Sequence, residues 1–102
     1  MANETVVIAR LRAAPNMADA LAALLIEQAA AVRRAEPGCL LYRVHRATDD
    51  TEVFLFYEVY VDDAAFDAHR SSAHLAEYRN RRDSQRLVAG PAEVHLFRSI
   101  TD

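Results

Sequence analysis

The sequence predicts an α+β domain in which a four-stranded antiparallel sheet carries its helices on one face. Three observations indicate this fold: four short runs of β-branched and aromatic residues, two longer stretches with apolar residues at helical spacing, and turn residues between them. Their order, β-α-β-β-α-β, is that of a ferredoxin-like sheet. The chain has 102 residues without repeats or low-complexity segments, so residues 1–102 are expected to form one domain.

The first strand and the first helix are separated by a turn. The strand is predicted at Thr5–Arg12, where β-branched and apolar residues dominate. The helix is predicted at residues 17–35, because apolar residues recur there every three or four positions and Asn16 can cap the first turn. Pro37 and the glycine after it end the helix.

The next two strands form a predicted hairpin. They are expected at Cys39–Arg46 and at residues 52–61, with a polar turn between them. The second of these strands is apolar or aromatic at both parities, which is typical of a strand covered on both faces.

A second helical stretch follows Asp62, which can cap it. Ser71 and Ser72 offer a second cap inside the pattern, so we expect a break there and a helix that resumes at residues 73–87. The alternating residues 93–100 are the predicted fourth strand.

Both helical stretches are expected on the same face of the sheet, which leaves the other face without cover inside the chain. Apolar residues on such a face need a partner surface, and a second copy of the chain can supply it. The sequence therefore predicts a two-fold homodimer whose sheets pack face to face into a dimeric α+β barrel.

Composition argues against several classes of function. A net charge of −3 gives no positive field for nucleic acid or an anionic membrane. Two glycines and no GxGxxG motif argue against dinucleotide or nucleoside triphosphate chemistry. Cys39 is the only cysteine, so no internal disulfide can form. Without a signal peptide or a long apolar run, a cytoplasmic location is expected.

Glu58 is the first candidate for chemistry. It lies in the middle of an aromatic strand, where its carboxylate must find a hydrogen-bond donor or hold a proton. The plainer interpretation is a structural ion pair with an arginine. A histidine partner would instead make an acid–base pair that titrates near neutral pH.

Two histidines near the serine pair are further candidates. His69 and His74 are five residues apart, so they share a site only if the backbone bends at the serines. They lack a third partner at a diagnostic spacing, and we expect no metal. Tyr78 lies four residues after His74 and faces the same way, although plain helix packing would also explain it.

A run of arginines follows on the same helix. Arg79, Arg81, Arg82 and Arg86 would usually form a solvated face. Their alternative role is to capture a phosphorylated or carboxylated substrate by bidentate contacts.

Residues 36–45 (EPGCLLYRVH) and 56–78 (FYEVYVDDAAFDAHRSSAHLAEY) resemble the antibiotic biosynthesis monooxygenase family. With Gly90-Pro91 and Leu96-Phe97, the resemblance extends over essentially the whole chain. It implies a ferredoxin-like dimer with a pocket between sheet and helices. By this resemblance, Glu58, Tyr60, His69 and His74 are the positions expected to surround the pocket.

The resemblance also implies a reaction without metal, flavin or other cofactor, between dioxygen and a small electron-rich aromatic compound such as a hydroquinone or an anthrone. His74 would be the base, oriented by Glu58, and Tyr60 would donate a hydrogen bond to developing negative charge. The substrate-binding residues would be His69, Tyr78, Phe54, Phe56, Phe66, Leu25 and Arg82.

Two other functions remain open from the sequence. The same base could serve an isomerase or hydrolase of a small phosphorylated keto compound, with the arginines binding its phosphate. The chain could also be a ligand-binding dimer without catalysis, with a pocket too small for a ring.

Overall fold

The fold was analysed in a computed structural model that describes residues 3–101. The elements are β1 (Thr5–Arg12), α1 (Ala18–Ala35), β2 (Cys39–Arg46), β3 (Val53–Tyr60), α2 (Asp63–Arg70), α3 (Ala73–Ser84) and β4 (Glu93–Arg98). All neighbouring strands are antiparallel, in the order β2-β3-β1-β4. The predicted ferredoxin-like α+β fold is confirmed.

The predicted break between the second and third helices is also confirmed. The side chain of Ser72 caps α3 by accepting a hydrogen bond from the backbone N–H of Leu75, at 3.3 Å. The N–H of Ser71 still closes the last turn of α2 on the carbonyl of Asp67. The chain therefore changes direction between two capped helices rather than bending within one.

Some predicted boundaries differ from the structure. The third helix ends at Ser84 instead of residue 87, because Arg86 adopts a left-handed conformation (φ 55°) that turns Leu87 into the core. Asn16 also has a positive φ of 66°, so it shapes the turn, and no side chain caps α1. The third and fourth strands end at Tyr60 and Arg98.

The hydrophobic core fills the space between the sheet and the helices. One face of β1 contributes Val7, Ala9 and Leu11, and β3 contributes Phe54 and Phe56 to the same layer. The apolar stripe of α1 closes this layer from above with Leu21, Leu24, Leu25, Ala29 and Val32. The helices are thus held on a single face of the sheet.

The opposite face of the sheet is apolar at one end and polar at the other, where Arg10, Arg43, His45 and His95 lie, and the described chain does not cover it. Val6 and Ile8 pair with Val59 and Tyr57, so the four side chains point the same way. Phe97 pairs with Val6 from the other side and is 53% exposed. None of the helices within residues 3–101 is long and apolar enough to cross a membrane.

Candidate active site

Glu58 and Tyr60 lie two residues apart on β3 and both point toward the helices. The Tyr60 hydroxyl donates a hydrogen bond to Glu58 Oε1 at 2.7 Å. Glu58 is only 6% exposed, and Tyr60 is fully buried. Strand β3 therefore supplies both a buried carboxylate and the phenol that donates a hydrogen bond to it.

His69 meets this carboxylate from the last turn of α2. Its Nε2 atom lies 3.9 Å from Glu58 Oε1, and its Nδ1 atom lies 2.8 Å from Glu36 Oε2. The ring packs against Tyr42 and Tyr60, with ring centroids 5.7 Å and 5.4 Å away. The imidazole thus lies between two carboxylates in a buried aromatic setting.

His74 approaches from the first turn of α3 and makes a hydrogen bond to Glu36 through Nε2. Its side chain is 20% exposed, and that of Glu36 is 10% exposed. The break between α2 and α3 brings the rings of His69 and His74 to 6.4 Å. A continuous series of polar groups therefore runs Tyr60, Glu58, His69, Glu36, His74.

This arrangement differs from the pairing expected from sequence. The carboxylate that holds His74 belongs to Glu36, the residue at the end of α1, while Glu58 faces His69. The ion pair of Glu58 with an arginine is not formed either, since Tyr60 and His69 are its partners among the described residues. Sequence reasoning treated Glu36 only as part of a helix stop.

The buried setting changes the proton affinity of these groups. Burial raises the pKa of Glu58, and this effect is opposed by the hydrogen bond from Tyr60 and the nearby His69. Burial also raises the pKa of Tyr60 and of Tyr78, so both phenols stay protonated as donors. Burial likewise raises the pKa of Cys39 to about 11, which argues against a reactive thiolate.

A cavity of about 150 Å³ opens beside Glu58 and His69, between the sheet and the two later helices. The sequence-predicted residues that line it are Glu58, His69, Tyr78, Phe56, Phe66 and Arg82. Sequence reasoning missed Tyr42, Arg70 and Val94, which also line it. These residues belong to three different elements, and no local sequence pattern indicated that they lie at the same cavity.

Four predicted site residues do not line this cavity. Tyr60, predicted as a donor to the substrate, is fully buried and donates its hydroxyl hydrogen to Glu58 instead. Phe54 and Leu25 line a groove of about 250 Å³ beside α1, and neither reaches the cavity. His74 lines an outer groove of about 430 Å³ between α1 and α3, together with charged residues. This larger groove lies outside the sheet–helix interface, whereas the smaller cavity contains the buried acid–base groups.

Glu36, His69 and His74 could together hold a metal ion, because one ligand atom from each lies within 4.8 Å of the other two. Glu36 is thus a third potential metal ligand, which the sequence spacing did not indicate. In the structure the Glu36 carboxylate bonds to both imidazoles, so hydrogen bonds alone account for the cluster.

A ferredoxin-like sheet with an imidazole, a carboxylate and a phenol beside an apolar cavity defines a class of small α+β domains equipped for acid–base chemistry on a small molecule. Residues 5–81 match the family described as antibiotic biosynthesis monooxygenase. The chain belongs to this family.

Solved structures of similar sequence share the fold over the full length. PA3566 from Pseudomonas aeruginosa is 31% identical with a TM-score of 0.85, covering 99% of this chain and 98% of that one. Rv0793 from Mycobacterium tuberculosis is 30% identical with a TM-score of 0.85, covering 98% of each chain.

One curated relative matches part of the chain. The uncharacterised protein sll1783 of Synechocystis sp. is 34% identical over 65 residues. These residues are 64% of this chain and 43% of that protein, so the match spans less than half of the relative.

Proposed function

We propose that this protein oxidises a small electron-rich aromatic compound of the hydroquinone type with dioxygen, without a metal or flavin. The family supports a monooxygenase. The observation that carries the proposal is the pair of Glu58 and His69, whose facing atoms lie 3.9 Å apart beside an apolar cavity. This separation is longer than a hydrogen bond, and a substrate hydroxyl about 2.8 Å from both atoms would lie beside them, roughly 2 Å off the line that joins them.

His69 is the base in this proposal, in place of His74. In the tautomer that carries its proton on Nδ1, His69 donates a hydrogen bond to Glu36 and keeps the lone pair of Nε2 directed toward Glu58. His74 lines the outer groove and acts through Glu36. The tautomer that Glu36 selects is therefore the one that can take a phenolic proton.

The reaction then follows from the substrate's own electrons. Loss of the phenolic proton gives an anion that can pass an electron to dioxygen. One oxygen atom enters the ring and the other leaves as water, so hydroquinone plus dioxygen gives hydroxyquinone plus water. The substrate supplies all the electrons, and the protein supplies the base and a cavity with largely apolar walls that orients the ring.

We also propose that the enzyme acts as a cytoplasmic homodimer. The support is the apolar face formed by Val6, Ile8, Tyr57, Val59 and Phe97, which the described chain leaves without cover.

The test is oxygen uptake by metal-free protein with a panel of hydroquinones, in air and under nitrogen. We expect turnover only in air, unchanged by EDTA. His69→Gln should lower kcat/KM by about 10² or more, because it removes the base. His74→Gln should have a smaller effect, and His45→Gln on the other face of the sheet should have none. Turnover under nitrogen, or full activity of His69→Gln, would contradict the mechanism.

A second candidate is favoured by the arginines beside the cavity. An isomerase of a small phosphorylated keto compound would use the same base next to a carbonyl, with Arg70, Arg79 and Arg82 near the phosphate. Such an enzyme would turn over equally well without oxygen. A ligand-binding dimer without catalysis is less favoured, because the cavity has room for a ring.

A further inference from the structure

The size of the cavity limits the substrate. Its volume is about 150 Å³, and its walls include Val7, Ala9 and Leu11 from β1 and Leu75 from α3. An apolar cavity of roughly 150 Å³ in a well-packed protein accepts a benzene ring. A single ring therefore fits between these walls, whereas the outer rings of an anthrone would extend beyond them through the open side of the cavity into solvent.

The charges around the cavity limit the substrate further. Three of its lining residues are Arg70, Arg79 and Arg82, and Glu58 is the only carboxylate among them. This is a local concentration of positive charge in a chain whose net charge is −3. An anionic group would be attracted to the arginine side and repelled from Glu58.

The three guanidinium groups differ in how they are held. Arg82 lies 5.5 Å from the ring centre of Tyr78, and Arg70 lies 4.8 Å from that of Phe66, so aromatic rings position both. Their carboxylate partners, Asp83 and Asp67, are mostly exposed. None of the ion pairs among residues 3–101 includes Arg79, which lines the cavity.

We infer that the substrate is a single aromatic ring bearing an anionic substituent, a carboxylate or a phosphate, which Arg79 and Arg82 bind at the edge of the cavity. This inference rests on the proposed function for its reaction. With the anion at the arginines, the ring enters the apolar space and directs its far hydroxyl toward His69 and Glu58. The guanidinium fork matches either anion in a bidentate arrangement.

The first test measures binding without turnover. Phenol, benzoate and phenyl phosphate are titrated calorimetrically into the protein at low ionic strength. We expect at least one anion to bind ten times or more tightly than phenol, and the tighter of the two identifies the substituent. Equal binding of all three compounds would overturn the inference.

Arginine variants distinguish direct contact between the arginines and the anion from a general attraction by positive charge. Arg79→Gln and Arg82→Gln should each remove most of the preference for the anion. Arg81→Gln is the matched control, because Arg81 lies on the same helix but bonds to Glu27 in the outer groove, at 3.1 Å. If Arg81→Gln lost the preference for the anion to the same extent, net charge alone would explain that preference and the inference would be overturned. Unchanged melting temperatures would show that each variant folds.

A second test separates this inference from the proposed function. Oxygen uptake is measured with 2,5-dihydroxybenzoate, hydroquinone and anthrone. We expect the highest kcat/KM for the carboxylated ring and none for anthrone. If neutral hydroquinone or anthrone reacts as well as the acid, the proposed function stands and the substrate inference fails.

Discussion

The buried carboxylate of Glu58 belongs to the proposed active site, but burying it makes the folded state less stable. It is buried among aromatic side chains, and this burial raises its pKa above the ordinary value of 4.5. The folded state therefore binds the Glu58 proton more strongly than the unfolded state does. As pH rises from 4.5 through the raised pKa, this group makes folding less favourable, and above that pKa the cost is constant.

Glu58→Gln should accordingly increase stability while reducing activity. The amide oxygen can still accept the hydrogen bond from Tyr60, and no charge is buried. The gain in the free energy of unfolding over the parent should grow as pH rises through the raised pKa and then level off. Turnover should fall by about tenfold, less than for loss of the base His69, because Glu58 faces the bound hydroxyl without taking its proton. Urea unfolding between pH 4 and 8 tests this, and a variant less stable than its parent at pH 7 would contradict it.

At the scale of elements, the site depends on how closely the turn after α1 approaches α2. A Cβ atom placed on Gly38 would lie 2.7 Å from the Cβ of Ala65 on α2. The carbonyl of Gly38 also accepts a hydrogen bond from the N–H of Val61, at 2.9 Å. This contact fixes the turn that carries Glu36 against the helix that carries His69.

Gly38→Ala should therefore disturb both stability and the site. We expect a loss of about 1–3 kcal/mol in the free energy of unfolding, because the added methyl group forces the turn away from α2. Gly90→Ala is the control, since nothing lies within 4 Å of that position and its φ is not positive. Ala65→Gly should restore part of the stability lost in Gly38→Ala. Thermal unfolding measures all three, and a neutral Gly38→Ala would refute the packing argument.

At the scale of the whole molecule, the sheet is asymmetric. One face is covered by the helices and contains the core, and the other presents half-buried and exposed apolar residues. Phe97 and Tyr57 are large exposed side chains on this face. A sheet of this kind is stabilised when a second apolar surface excludes water from it.

We therefore predict a homodimer in solution, formed through the uncovered face of the sheet. Light scattering should give twice the mass of the chain, and Val59→Glu should give the monomer, because its carboxylate would be buried without a partner. Ile26→Glu, on the exposed surface of α1, should leave the dimer intact. A parent protein with the mass of one chain would contradict this prediction.

The sequence alone was sufficient for the fold and for part of the site. Strands and helices are encoded in local periodicity, and their ends in prolines, glycines and capping residues such as Ser72, so the order of elements could be predicted. The end of α3 could not be predicted, because it depends on the packing of Leu87 in the core. Glu58 stood out as a carboxylate among aromatic residues, and His69 was a candidate through its spacing from His74 and through the family resemblance.

The partners of these residues were decided by the tertiary structure. Glu36 is separated from His69 by 33 positions and from His74 by 38, and it meets both only because the end of α1 packs beside the junction of α2 and α3. The cavity and its arginines likewise combine residues from several elements. Local patterns determine which side chains are polar and which face of an element they occupy. Packing over long separations determines which of them touch, because it depends on the shapes of whole elements.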